Sequence, residues 1–473
     1  MDAGRSIGEG PNRAPPVARR SAQGTLAGVQ TAPDHGRRLG FVHLVVGDVP
    51  RSLVAVLFGT FTLRFSTGLT GGLLIYYLAH PEHGAPVIGA AGLGLLNAAF
   101  YLAELVLAPP FGLLSDRWGH HRVMQFGPLF GLVAVILTYF ASDALQLGAT
   151  RILEGASTAA SVPSILGFIA VITAGDELLR GRAAARFEGA TLAGLGAGLV
   201  AAGPAWELLH KQAFLLNAGI YAISFLIYRF GVPETPGDKA AAGQPHPGLR
   251  RYLAILRSSH VWLLAPTWIA LNAAIGLWTT QSLFQLVKEP APKFADQYLM
   301  GRVDPVQISL GLLAAGVVFF GGLAYWGERF RSMRRTTILF YGILGGGAVV
   351  GAVAVINHSA DLSSLVRLAA GAVAIGGLFV LAGATPAALG MLADISEAFP
   401  ADRGAIMGLY SVFLALGQIV GSLIGGVAAD WRGIDGIILA TGAALVIALI
   451  PLGRLRSVEH LIGMPAGGPS AVS

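Results

Sequence analysis

Hydrophobic residues in this chain come in blocks. From about residue 53 onward, runs of about 20–28 residues built almost wholly from Ala, Gly, Leu, Val, Ile and Phe alternate with short clusters that collect the charge. A helix needs about 20 such residues to cross the roughly 30 Å hydrocarbon core. Lipid offers no partner for open backbone, so long apolar runs mean helices rather than strands. The pattern predicts an all-α polytopic membrane protein with twelve spans, near 53–79, 87–113, 122–142, 146–174, 186–207, 212–232, 259–286, 306–327, 336–357, 364–391, 404–428 and 434–453. The fourth and tenth are long enough to tilt. The first 51 residues, rich in Arg, Gly and Pro, read as a disordered tail whose first apolar run lies too far in for a secretory signal. "LGFVHLVV" at 39–46 is too short to span and suits the membrane surface.

Composition agrees: 54% of residues are apolar and only 12% charged, against about 25% charged in soluble domains. The absence of cysteine excludes a thiolate metal site or a disulfide frame. A net charge of +6 would suggest nucleic acid for a soluble chain, but topology explains it better and no nucleic-acid partner is expected. With the N-terminus cytoplasmic, inside segments hold about 24 of the 32 Lys and Arg, including "RGRAAAR" at 180–186, "LRRYLAILR" at 249–257 and "RSMRR" at 331–335. Outside loops hold Lys211, Lys288, Lys293, Arg302 and Arg432. This asymmetry predicts both termini in the cytoplasm of a plasma (inner) membrane protein.

The chain also repeats itself. The Pro- and Gly-rich "VPETPGDKAAAGQPHPG" separates two sets of six spans. "RILEG" at Arg151 and "RLAAG" at Arg367 open spans four and ten, and "DRWGHHR" at Asp116 and "ERFRSMRR" at Glu328 follow spans two and eight. "RGRAAARFEGATLAGLG" and "DRGAIMGLYSVFLALG" lead into spans five and eleven. A 6+6 duplication is the economical account, with two pseudo-symmetric six-helix bundles at 52–232 and 258–455, a linker at 233–257 and a tail at 456–473.

The stretch between spans two and three carries a resemblance. Gly112, Asp116, Arg117, Gly119, His120, His121 and Arg122 follow G-x-x-x-D-R-x-G plus three basic positions, and the chain resembles the major facilitator superfamily over roughly 52–455. Glu328 and Arg329 form a degenerate copy. Two further marks resemble drug:proton antiporters: Arg151-Ile-Leu-Glu154-Gly155, with Glu where such exporters carry Gln, and Gly203-Pro204 in span five, where the upstream glycine spacing is imperfect and the following glycine pair is missing. The span-five glycines fit plain helix packing equally well.

The resemblance implies that Asp116 faces the N-terminal end of span eleven, which starts after Arg403-Gly404, as a latch on the cytoplasmic side. An anion at a helix N-terminus is favoured by about 0.3–1 kcal/mol. Gly112 then serves close helix approach and Gly119 the tight reversal. The alternative is that these charges only cap the loop and fix topology. His120 and His121 stand where the family usually has Arg or Lys. They read either as a pH-tuned element of the latch or as tolerated surface variation, loop-bound in both cases.

Within the bilayer each charge marks a pathway or a partner. Arg64 lies mid-span one; Glu104 lies about 18 Å from the cytoplasmic end of span two; Arg151 and Glu154, three apart, share a face of span four and can pair. Glu188 and Arg367 lie nearer span ends. The resemblance places spans one and four at a central cavity, so Arg64, Arg151 and Glu154 are its expected charges, serving proton coupling, anion binding or a structural ion pair. Glu104 has the same alternatives. From the other half, Trp268, Asn272, Trp278, Gln281, Tyr410, Ser411 and Gln418 offer aromatic and amide groups, which serve equally as packing or interface residues.

Enzyme chemistry finds no support, since no phosphate-binding loop or helical H-E-x-x-H is present. No cofactor or metal is expected. The reading is a secondary active transporter working by alternating access, a proton-coupled exporter of small organic molecules, acting as a monomer with substrate, protons and lipid as partners. Uptake or exchange of a specific, anionic metabolite is the alternative. A non-transporting receptor or assembly factor is the alternative of another class.

Overall fold

The computed structural model describes residues 51–234, 261–329, 332–397 and 403–459, apart from the side chains of 177–178, 397, 403–405 and 407–408. The N-terminal tail, the surface segment at 39–46, nearly all of the linker at 233–257 with its "LRRYLAILR", and most of the final tail lie outside the described residues.

The described residues form helices, with no strand among them. In chain order these are α1 (Arg51–Ala79), α2 (Ala90–Trp118), α3 (His120–Met124), α4 (Phe126–Phe140), α5 (Ala144–Ile172), α6 (Glu177–Leu209) and α7 (Ala213–Leu226, continuing as a π turn over Ile227–Gly231). There follow α8 (Val261–Val287), α9 (Pro305–Arg329), α10 (Arg335–Asn357), α11 (Ser364–Leu381), α12 (Ala384–Glu397) and α13 (Arg403–Val458). Ten of the resulting segments are long and apolar enough to cross a membrane. Many outward-facing side chains are large and apolar, Leu102, Val106, Leu313, Val317, Val427 and Ile447 among them. That is the surface a lipid-solvated bundle needs, and a water-solvated one rarely carries it.

Local chemistry sets the helix ends. Asp143 caps α5 by accepting from Gln146 N at 2.9 Å, and Asp176 caps α6 by accepting from Leu179 N at 2.8 Å. The second cap corrects the sequence-based boundary. "RGRAAAR", expected as a loop before a span starting at 186, is already helical, because α6 begins at Glu177. The expected tilted span at 364–391 is interrupted at Ala382–Gly383, between α11 and α12. α13 runs through two expected spans but breaks at Arg432–Gly433, where Gly433 takes φ +61°. Gln297 holds that break: its Oε1 accepts from Ile434 N at 2.9 Å and its Nε2 donates to Arg432 O at 2.8 Å.

Glycines set how close the helices come. α1 packs on α6, where a Cβ at Gly68 would lie 2.1 Å from Leu195 O and one at Gly198 would lie 2.0 Å from Phe65 O. α2 packs on α5 through Gly155, which abuts Phe100 O. Contacts between the segments before and after the linker run through α2 with α13, α6 with α9, and α8 with α1 and α2.

Candidate functional site

The ionisable residues expected at mid-bilayer separate into two groups. Arg151 and Glu154 are ion-paired within one turn of α5, and both are buried, 5% and 2% exposed. The Arg151 guanidinium also donates to Asn97 Oδ1 at 3.3 Å and sits 4.7 Å from the Phe100 ring centroid, both on α2. The pair therefore fastens α5 to α2.

Arg64 is different. It is only partly buried, and its Nη1 donates to Thr158 Oγ1 on α5 at 3.3 Å. Glu104 on α2 and Glu188 on α6, each also partly buried, lie within electrostatic reach of it. Glu188 in turn acts on Tyr410 of α13, across the two halves of the chain. Glu188 was expected near a span end; the early start of α6 puts it about three turns inside its helix. The clue lay in "GDELL" at 175–179, where Asp176 starts a helix well before the apolar run.

In the second half of the chain Trp268 of α8 is buried and stacked on Tyr410, with ring centroids 5.3 Å apart and planes 29° from parallel. The indole N–H groups of Trp268 and Trp278 have no acceptor among the described residues. The amides expected beside them are engaged in packing. Asn272 donates to Trp268 O on its own helix at 2.9 Å, Gln281 to Ala90 O on α2 at 3.0 Å, and Gln418 accepts from Thr279 at 3.3 Å. Ser411 is exposed and Arg367 lies over the Tyr298 ring at 5.1 Å, away from the charged group. Arg64, Glu104, Glu188 and Tyr410 are thus linked only by charge acting at a distance, with Trp268 stacked on Tyr410, while Arg151, Gln281 and Gln418 bond between helices and Asn272 bonds within α8.

At the end of α2, Gly119 makes the reversal with φ +96° and its N–H bonds to Ser115 O at 2.9 Å. Among the described residues Gly112 meets only Pro163, at an ordinary 3.7 Å from a built Cβ, so no close approach is made there among them. His120 and His121 are neither surface nor loop residues: both are buried in α3. The turn at Gly119 folds α3 back onto the bundle. The His120 ring fills the notch at Gly167 of α5, hydrogen-bonds Ser115 Oγ at 2.6 Å and stands 3.8 Å from Asp116. His121 hydrogen-bonds Tyr228 O at 3.2 Å and lies 3.9 Å from Glu234. Arg117 and Arg122 are exposed, and Arg122 donates to Glu234 at 3.0 Å. The start of α13, expected to face Asp116, adjoins undescribed residues.

Glu328 and Arg329, the expected counterpart, are exposed at the end of α9, with Arg329 over the Tyr325 ring. The charge contact at that end of the second half joins Arg335 of α10 to Asp394 of α12 at 2.6 Å, and Thr336 donates to Glu459 at 2.5 Å. Neither pair stood out in the sequence. Gly203 abuts Pro305 O and Ser309 of α9, with Pro204 following inside α6, so this mark sits at a crossing between the halves.

The model of the Major Facilitator Superfamily matches residues 56–366. The chain belongs to that superfamily. It is therefore a multi-pass membrane transporter and not an enzyme. The quinolone resistance protein NorA of Staphylococcus aureus is 23% identical over 412 residues, 85% of this chain and 96% of NorA. The multi-drug resistance efflux pump PmrA of Streptococcus pneumoniae is 26% identical over 124 residues, 26% of this chain and 31% of PmrA. Two crystal structures share the facilitator fold. The nucleoside transporter NupG superposes with a TM-score of 0.66 at 14% identity, over 85% of this chain and 99% of NupG. The peptide transporter POT in complex with sulfate gives 0.63 at 15% identity, over 89% and 97%.

Proposed function

We propose that this facilitator is a proton-coupled exporter of small amphipathic organic molecules, working by alternating access. The observation that carries the reading is that Arg64 lies within electrostatic reach of two partly buried carboxylates, Glu104 and Glu188, the second of which also reaches Tyr410 of the Trp268–Tyr410 stack. Ionisable groups are expensive at this depth. A proton on Glu188 or Glu104 removes the negative charge that faces Arg64, and its loss restores it. That exchange gives the two halves different preferred arrangements. The aromatic stack and two indole N–H groups without an acceptor among the described residues suit a flat, partly polar solute. The likeness of 124 residues to PmrA, a multi-drug resistance efflux pump, supports export.

In this reading the chain crosses the membrane twelve times, as two six-helix halves at 52–232 and 258–455 joined by the cytoplasmic linker at 233–257. It resides in the cytoplasmic membrane as a monomer, with both termini inside. The 53-residue segment 179–231 would extend about 80 Å as one helix, far beyond the roughly 30 Å core. His210, at φ +47°, and Gly433 divide the two longest segments into two crossings each. The Asp116 end is the cytoplasmic gate. Arg151–Glu154 serves as a structural pair.

Counterflow and uphill accumulation in vesicles separate the roles. Glu104→Gln or Glu188→Gln is expected to lose at least tenfold in gradient-driven accumulation while keeping energy-independent exchange. Full accumulation in both variants overturns the assignment. An anionic substrate is the second reading, favoured by Arg64, and accumulation of organic anions in preference to cationic dyes selects it.

A further inference from the structure

The end of α2 opposite Asp116 is held by a carboxylate from the other half of the chain. Asp430, two residues before the break in α13, accepts from the first backbone N–H groups of α2: Ala90 N to Oδ1 at 2.8 Å and Ala91 N to Oδ2 at 2.9 Å. Those N–H groups have no partner within their own helix. The helix N-terminus carries partial positive charge, so both bonds are charge-assisted. Lys293 Nζ donates to Asp430 O at 3.0 Å, Gln281 Nε2 to Ala90 O at 3.0 Å and Lys288 Nζ to Ile88 O at 3.5 Å. Below the clasp the helices touch closely. A Cβ at Gly94 would lie 2.3 Å from Ser422 O, and one at Gly426 would lie 2.7 Å from Ala90 O.

We propose that Asp430 is the releasable clasp of the outer gate, standing at one end of α2 as Asp116 stands at the other. The inference rests on the alternating-access reading, in which the α2–α13 seam must part for the outward-open state. The contact is suited to opening. Asp430 is exposed and the Ala91 bond lies at the surface, so donors and acceptor pass to water when the seam parts. The Ala90 bond is partly buried and the adjoining Gln281–Ala90 bond is buried, so opening must hydrate these groups as well. A seam held only by interlocked glycines lacks that reversibility. Asp430 thereby sets the balance between the two states without touching substrate.

The chain has no cysteine, so label sites can be introduced without background. Leu145 and Leu365, both exposed and at this end of their helices, receive spin labels as Leu145→Cys and Leu365→Cys in full-length protein in nanodiscs. The unmodified seam is expected to give mainly the short distance. Asp430→Ala should raise the ratio of long to short distances roughly tenfold, the worth of one hydrogen bond to a charged group, and Asp430→Asn should fall between. Gly89→Ala leaves Asp430 intact but puts a Cβ 3.0 Å from both carboxylate oxygens, and should shift the ratio the same way. Wild-type distributions in both Asp430→Ala and Gly89→Ala overturn the clasp. If Asp116→Asn moves the distribution while these do not, the clasp alone fails. If the long distance is absent in every variant, alternating access fails with it.

Discussion

Arg151 and Glu154 close on each other within one turn of α5, buried against Asn97 and Phe100 of α2, while Arg64 of α1, bonded to Thr158 one turn further along α5, stays partly open to its surroundings. Two arginines at similar depth therefore do different work. One is consumed in packing and the other is left available.

Removing one member of a buried pair strands the other charge. Glu154→Gln or Arg151→Ala should cost about 3–5 kcal/mol, whereas replacing both with apolar residues of similar size should cost far less. Thermal unfolding of the detergent-purified protein reads the difference. Equal losses in single and double variants would show that the pair is not what holds α5 to α2.

His120 and His121 are packed, which sets their response to substitution. Returning them to the usual basic type as His120→Arg and His121→Arg forces longer charged chains into the notch at Gly167 and against Tyr228. A loss of about 1–3 kcal/mol is expected, seen as a lower melting temperature. His120→Asn keeps a polar partner for Ser115 without titrating. An unchanged pH profile of transport in that variant would dispose of pH tuning by His120.

Gly119→Ala places a side chain at φ +96° and should destabilise the reversal by about 1–3 kcal/mol. Gly112→Ala, 3.7 Å from its nearest neighbour, should be nearly silent. The contrast within one motif is readable by unfolding, and equal effects at the two glycines would contradict the geometry.

Gln297→Ala removes an acceptor for Ile434 N and a donor to Arg432 O at the α13 break. Unsatisfied groups of this kind cost about 1–3 kcal/mol. Faster hydrogen exchange confined to residues near 430–437 is the expected signature. Uniform loss of protection would place the damage elsewhere.

Much of this was legible in the sequence, and the failures have physical reasons. Apolar runs located the membrane helices because lipid forces backbone closure within each helix. The i, i+3 spacing of Arg151 and Glu154 foretold their contact because helix geometry is local. Glu188 was undervalued because hydropathy marks where lipid begins, whereas a capping residue, Asp176, decides where the helix begins. Gln281 and Gln418 looked like cavity residues because polarity in a span signals function; here they serve backbone and hydroxyl partners across helix crossings. Asp430 was invisible, since its partners are backbone N–H groups 340 positions away.

The central claim is proton-coupled export, and reconstituted proteoliposomes test it most directly. With transporters oriented inside-out and the lumen acidic, a fluorescent cationic amphiphile should accumulate against its gradient, and the accumulation should collapse when a protonophore removes the pH difference. Transport that proceeds at the same rate and extent with and without the pH gradient would contradict the account.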